Sequence, residues 1–351
     1  MKNWIYIIMI GLMGSLVSSC QQSLDDELQT SQDTPKAANI SMRLILDKQS
    51  FGSRGTWGKN EDESNELGIP FENEIDLTDP NALQVTVQVY NSDNTMIEEL
   101  EVIDKTVVRL DTENGRVYTL DGILDFQDTT IKNGNYSCKV IVYANCGTDK
   151  EVYAYSVDAF IPMWGVRLAN LNLANEAENE INDIYLLRAM AKVEVALHED
   201  IASLFELTSV VVDKYNTVGY VLPAGYATAT DTRDLGQQDV FNPENTYSGT
   251  GLSFTEVEGQ GSFYAYLPEY QNVDVDSPAE IRLLIDEKLY NIQFKQYIGG
   301  QATGESYNIV RNHYYKYTIT SVSEETVEVN LTLKYEVEDW TEVINPGFDF
   351  D

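Results

Sequence analysis

Toward its C-terminal end the chain reads Val327-Glu328-Val329-Asn330-Leu331-Thr332-Leu333-Lys334-Tyr335-Glu336-Val337-Glu338. Apolar and polar residues alternate without a break, which is the period of a β-strand with one face in a core and the other in solvent. The same signature stands at 40–47, where Ile40, Met42, Leu44 and Leu46 alternate with Ser41, Arg43, Ile45 and Asp47. Between them lie shorter runs of the same kind: 84–90 (QVTVQVY), 105–111, 136–144, 191–197 (AKVEVAL), 209–213 and 262–267. A hairpin is expected in which 281–286 (IRLLID) turns at Glu287-Lys288 into 290–296. Many short alternating segments with few helical windows predict an all-β chain of paired antiparallel sheets, hence β-sandwiches rather than a parallel α/β fold.

The length of 351 residues suits about two domains of roughly 100–200 residues. The acidic stretch 174–183 (ANEAENEIND) reads as a short helix or a linker, with the boundary between Pro162 and Asp183. The expected organisation is a leader at 1–19, a tether at 20–39, an N-terminal sandwich at 40–183 and a C-terminal sandwich at 184–351. A hydrophobic share of 43% with 22 tyrosines supports a sizeable core, and a net charge of −34 repels both nucleic-acid phosphates and anionic lipid surfaces. A nucleic-acid partner is therefore not expected.

The first residues are more specific. Lys2, an apolar run from Trp4 to Met13 and the ending Leu16-Val17-Ser18-Ser19-Cys20 have the order of a signal peptide. The run is shorter than the about 20 residues needed to span a bilayer. Small residues before a cysteine resemble the lipobox of bacterial lipoproteins, which implies that Cys20 is acylated and becomes the mature N-terminus. Residues 21–39 are polar and acidic, as expected of a tether between lipid and fold. Their cluster Asp25-Asp26-Glu27 resembles the signal that routes lipoproteins to the surface of the outer membrane in Bacteroidetes.

Catalytic spacings are missing from the sequence: it contains no His-Glu-x-x-His, no Gly-x-Ser-x-Gly, no phosphate-cradling glycine loop and no Cys-x-x-Cys. His198 and His313 are the only histidines, too few for a multi-histidine metal site, and His313 reads as a packing residue. Neither an enzyme nor a cofactor is expected. Cys138 and Cys146 are eight positions apart; on one continuous strand, at about 3.3 Å per residue, they lie beyond disulfide reach. They read as buried small residues, with a bulged hairpin disulfide as the alternative.

Four groups of residues carry a further resemblance: Ile161-Pro162-Met163-Trp164-Gly165, Leu187-Arg188-Ala189-Met190-Ala191-Lys192-Val193, Arg311-Asn312-His313-Tyr314-Tyr315, and Trp340. Read singly, the tryptophans fill cores, Pro162 and Gly165 shape a crossing, and Arg188, Lys192 and Arg311 pair with surface carboxylates. Taken in order, the four groups resemble the markers of Bacteroidetes-type fimbrillins, the type V pilins. That resemblance implies two transthyretin-like β-sandwich domains in tandem with few short helices, in a fimbrial subunit exported as a palmitate-bearing lipoprotein precursor that supports cell adhesion. It further implies cleavage by an arginine-specific protease after the first strand, here at Arg54, and exchange of that strand for one donated by a neighbouring subunit. The donor candidates are Val327, Val329, Leu331, Leu333, Tyr335, Val337 and Trp340. Implied partners are other fimbrial subunits, the processing protease and the outer membrane through the lipid. Two alternatives stay open: a monomeric outer-membrane surface lipoprotein that binds glycan, and a membrane-anchor subunit that keeps Cys20 and its first strand.

Overall fold

The computed structural model describes residues 37–47, 77–112, 115–126, 130–156, 160–235, 240–242, 245, 248–257, 261–298, 300–302, 304–323 and 327–335. In chain order the first strands are β1 (Ala37–Asp47), β2 (Leu83–Tyr90), β3 (Met96–Thr112), β4 (Gly115–Asp125), β5 (Asn135–Ala144), β6 (Val152–Ala154), β7 (Met163–Asn172), β8 (Glu178–Tyr185) and β9 (Leu187–Arg188). Among the described residues, all but β6 join one sheet in the order β8-β1-β4-β3-β2-β5-β7-β9.

This sheet folds into a sandwich because β3 serves both layers. Its first residues pair with β2, and those from Val102 onward pair with β4. Just after the change comes an irregularity between Ile103 and Thr106, where Asp104 adopts φ +48°. A bulge bends the strand that carries it and increases its twist, which redirects β3 from one layer to the other. Inward side chains of both layers make a single core, with Ile40, Met42 and Leu44 from β1, Leu120 and Leu124 from β4, Val85 and Val87 from β2, and Val140 and Val142 from β5.

The later strands are β10 (Met190–Leu197), β11 (Leu207–Asn216), β12 (Val218–Tyr220), β13 (Ser248–Ser253), β14 (Thr255–Val257), β15 (Ser262–Pro268), β16 (Glu280–Ile285), β17 (Lys288–Gln293), β18 (His313–Val322) and β19 (Val327–Tyr335); among the described residues the one α-helix is the four-residue α1 (Glu199–Ala202), beside two 3-10 turns at Pro80–Ala82 and Thr232–Asp234. Sheets β14-β15-β10-β18-β19 and β13-β11-β16-β17 enclose the second core, in which Val193, Phe263, Tyr317 and Ile319 meet Val210, Val212, Ile281 and Leu283. The chain is thus an all-β protein of two sandwiches.

Three local expectations are corrected. Residues 178–183 of the acidic stretch are neither helix nor linker but the larger part of strand β8, parallel to β1. Its glutamates Glu178 and Glu180 are exposed while Asn179 and Ile181 turn inward, so a strand with little apolar content hides its alternation. β8 and β9 carry the first sandwich across position 183 to Arg188. The β16–β17 hairpin turns at Asp286-Glu287, one residue earlier than expected, with positive φ (44° and 67°) at both, the signature of a two-residue type I′ turn. Asp286 also ties the turn down by accepting from the Glu206 N–H at 2.8 Å. Finally, β1 begins at Ala37, inside the expected tether.

Cys138 lies buried on β5 and Cys146 follows its end; both are free thiols, and burial pushes each up to about 12.

Candidate functional site: a central first strand and a polar joint

β1 occupies the middle of a layer. All its residues from Ala37 to Asp47 pair antiparallel with β4, and Asn39 to Met42 with Leu44 and Ile45 pair parallel with β8, the register shifting at Arg43. Ala38, Ile40, Met42, Leu44 and Leu46 are each 1% exposed or less. Burying the four large side chains among them contributes on the order of 8 kcal/mol at about 2 kcal/mol each. The opposite face carries Asn39, Ser41 and Arg43, with Ile45 buried near its end, and Arg43 pairs there with Asp183 at 3.0 Å. Chemically the site is a slot for an extended segment: ladder groups on two sides and an apolar floor for alternate side chains.

β19 is an edge strand. It pairs only with β18 among the described residues, placing Val329 opposite Ile319, Leu331 opposite Tyr317, Leu333 opposite Tyr315 and Tyr335 opposite His313. Val327 is buried in the second core. Val337 and Trp340 lie outside the described residues, as do Cys20 and Arg54.

The remaining marker residues meet in a joint between the sandwiches. Residues 218–235 and 240–242 leave the second half and lie on the outer face of the first sandwich, where Val221, Ala229, Leu235 and Val240 pack with Ile141, Trp164, Val166 and Leu187. β12 pairs with β6, Leu168 N–H donates to Thr230 O at 2.9 Å, and Arg167 pairs with Asp231. Trp164 therefore fills this joint rather than the core of its own sandwich.

Arg311 is corrected from a surface residue to the most enclosed charge of the joint. It is 0% exposed and pairs at 2.8 Å with Glu269, which is 4% exposed. Its guanidinium also donates to Val221 O at 2.8 Å and Tyr220 O at 2.9 Å. Desolvation pushes the Glu269 carboxyl upward, and the charge and hydrogen bonds of Arg311 pull against that shift. Lys192 and Arg188 are likewise buried: Lys192 Nζ stands 5.0 Å and 5.5 Å from the ring centres of Tyr264 and Tyr314, and Arg188 donates to Asn312 Oδ1. His313 is buried as expected, stacked on Tyr315 with Nδ1 at 2.8 Å from Arg311 O, and desolvation lowers it to about 4. Sequence reasoning missed Glu269 and Asn179. Neither stands in a motif, and each acts on a partner supplied by another strand or loop.

Among the described residues, no group of three or more His, Cys, Asp or Glu side chains could hold a metal ion. No family model and no curated protein matches the chain. Among solved structures it is similar to the tip fimbrial protein Mfa3 of Porphyromonas gingivalis with a C-terminal truncation, at 13% identity and TM-score 0.48, covering 85% of this chain and 99% of that one. It is also similar to a fimbrial assembly protein of Parabacteroides distasonis, at 16% identity and TM-score 0.43, covering 85% of this chain and 96% of that one. Both are fimbrial proteins.

Proposed function

We propose that this chain is a structural subunit of a cell-surface fimbria, exported as a lipoprotein precursor anchored through Cys20 and assembled by strand exchange. In this reading an arginine-specific protease cuts at Arg54, the lipid and β1 depart together, and the C-terminal segment of a neighbouring subunit enters the slot. The observation that carries it is the place of β1: it is a central strand with its whole apolar face buried, yet it is the first of the described strands, so one cut in residues 48–76 severs it from every other described strand. An emptied slot exposes two unpaired strand edges and an apolar floor, and an alternating strand from another subunit satisfies both. Segment 327–338 has that alternation, and Trp340, Val343, Ile344 and Phe348 carry apolar character beyond it; its first part, 327–335, pairs with β18 of its own chain, so donation means leaving that edge for the neighbour's slot. Among the described aromatic residues only Phe160 and Tyr226 are exposed, which favours this reading over an aromatic platform for glycan.

The test is to treat the purified chain with an arginine-directed protease and follow its N-terminus by mass spectrometry and its assembly by electron microscopy. A first cut giving a new N-terminus at Gly55, followed by fibres, is expected; Arg43 resists because its backbone is paired on β1. Removal of residues 336–351 is expected to leave a cut but monomeric protein. Fibres of normal length from an Arg54→Ala chain that stays uncut would overturn the proposal.

A further inference from the structure

We infer that Asn179 is a positioning residue for the slot that β1 fills: it holds the outer wall in place and reads one backbone carbonyl of whatever strand occupies it. The inference rests on the strand-exchange reading. Its starting point is an asymmetry between the two walls. β4 is bound on its far side by β3, whereas β8 has only β1 as a sheet neighbour among the described residues. A strand held by a single ladder would leave the sheet with β1, and no slot would remain.

Contacts outside the ladder prevent this. Asn179 is 8% exposed, and its side-chain amide pairs with the backbone of Asn172, the last residue of β7 in the opposite layer. Oδ1 accepts from the Asn172 N–H at 2.7 Å and Nδ2 donates to the Asn172 carbonyl at 3.0 Å. Together these reproduce with one side chain the double bond of a hydrogen-bonded antiparallel pair. The second proton of Nδ2 goes to the Asn39 carbonyl of β1 at 3.2 Å. Both donors and the acceptor oxygen of the amide are thus engaged, a set that neither aspartate nor alanine can supply.

The other end of β8 is also held by groups that do not belong to β1. A Cβ on Gly165 of β7 would lie 2.6 Å from Tyr185 O, so glycine permits the close approach of the two backbones. The Arg233 guanidinium lies 4.8 Å from the centre of the Tyr185 ring. Pinned at both ends, β8 stays when β1 leaves and keeps open a gap of about two strand spacings, roughly 9.6 Å. A preformed gap spares an incoming strand the cost of ordering its own partner. The occupant it selects is an extended segment running parallel to β8 and antiparallel to β4, apolar at alternate positions, with a carbonyl at the place of Asn39.

The test uses the full chain with a unique protease site placed within residues 48–76, cut and then challenged with a fluorescent peptide of sequence 37–47. Wild type is expected to take up the peptide, and Asn179→Ala to bind it about ten-fold more weakly, the worth of one or two net hydrogen bonds. Asn179→Asp, nearly isosteric, should lose binding similarly while keeping the fold. Amide exchange at Asn172 should stay slow in cut wild type after β1 is displaced and become fast in both variants. Equal peptide affinity in wild type and variants, or an Asn172 amide that exchanges as fast as β1 departs, overturns the role of Asn179 while leaving strand exchange intact. A cut wild-type chain that neither releases β1 nor takes up peptide overturns the strand-exchange reading, and the inference with it.

Discussion

The β1 slot and the joint around Arg311 are both buried, but they are buried by different chemistry. The slot is floored by aliphatic side chains and walled by backbone groups, and nothing in it asks for one particular aliphatic residue. The joint is closed by a charge that must find one carboxylate and two carbonyls. Apolar burial depends on volume and pattern, so another strand of similar pattern can replace β1. Charged burial depends on geometry, and an unpartnered guanidinium or carboxylate has no substitute for water. A subunit that trades one strand while its sandwiches stay together would put generic packing where it exchanges and specific polar pairing where it must not part.

The contrast is tested most severely at Leu44, which is 0% exposed. Leu44→Asp should cost about 5 kcal/mol or more, because a carboxylate in that core has no partner, whereas Leu44→Met should cost less than about 1.5 kcal/mol. Both are read from denaturant unfolding. Similar losses from the two would mean that the slot demands a specific side chain. At the joint the order of tolerance reverses: Arg311→Met, which keeps much of the volume, should cost about 3–5 kcal/mol by stranding Glu269. Combining Arg311→Met with Glu269→Leu should recover most of that loss. A double variant no more stable than the single would locate the defect in the carbonyl contacts to Tyr220 and Val221 instead of the ion pair.

Acid titration sharpens the picture further. His313 stays neutral in the folded chain down to about 4, while the unfolded chain takes up a proton near the ordinary 6.5. Stability held above pH 6.5 is therefore lost as pH falls toward 4, by up to about 3 kcal/mol. Glu269, shifted upward, contributes a slope of opposite sign, so the histidine's share is the difference between wild type and His313→Gln. Parallel pH profiles for the two chains would contradict it. The smallest expected effect is dynamic. Native-state hydrogen exchange of β1 amides, laddered on both sides, should approach the global unfolding limit, while those of β19, laddered on one, should exchange by local unzipping. Slower exchange in β19 than in β1 would reverse the ranking of the two strands.

The alternation of Ile40 to Asp47 and of Val327 onward announces strands and names the face that is buried, because side-chain direction on a strand repeats every two residues and is a local property. Composition and the run before Cys20 likewise need no partner to be read. The pattern is silent about neighbours: β1 and β19 look alike as sequences, yet one is central between a parallel and an antiparallel partner and the other is an edge. β8 escaped notice because its inward positions include Asn179, which earns its burial through Asn172 and Asn39, residues that only folding brings to it. Arg311 looked like a surface charge because Glu269, Tyr220 and Val221 come from elsewhere in the chain. The class of fold and the polarity of each face are written along the chain; which strand is walled by which, and which charge is paired with which, are not, since hydrogen-bond and ion-pair partners are set by proximity in space and leave no period in the sequence.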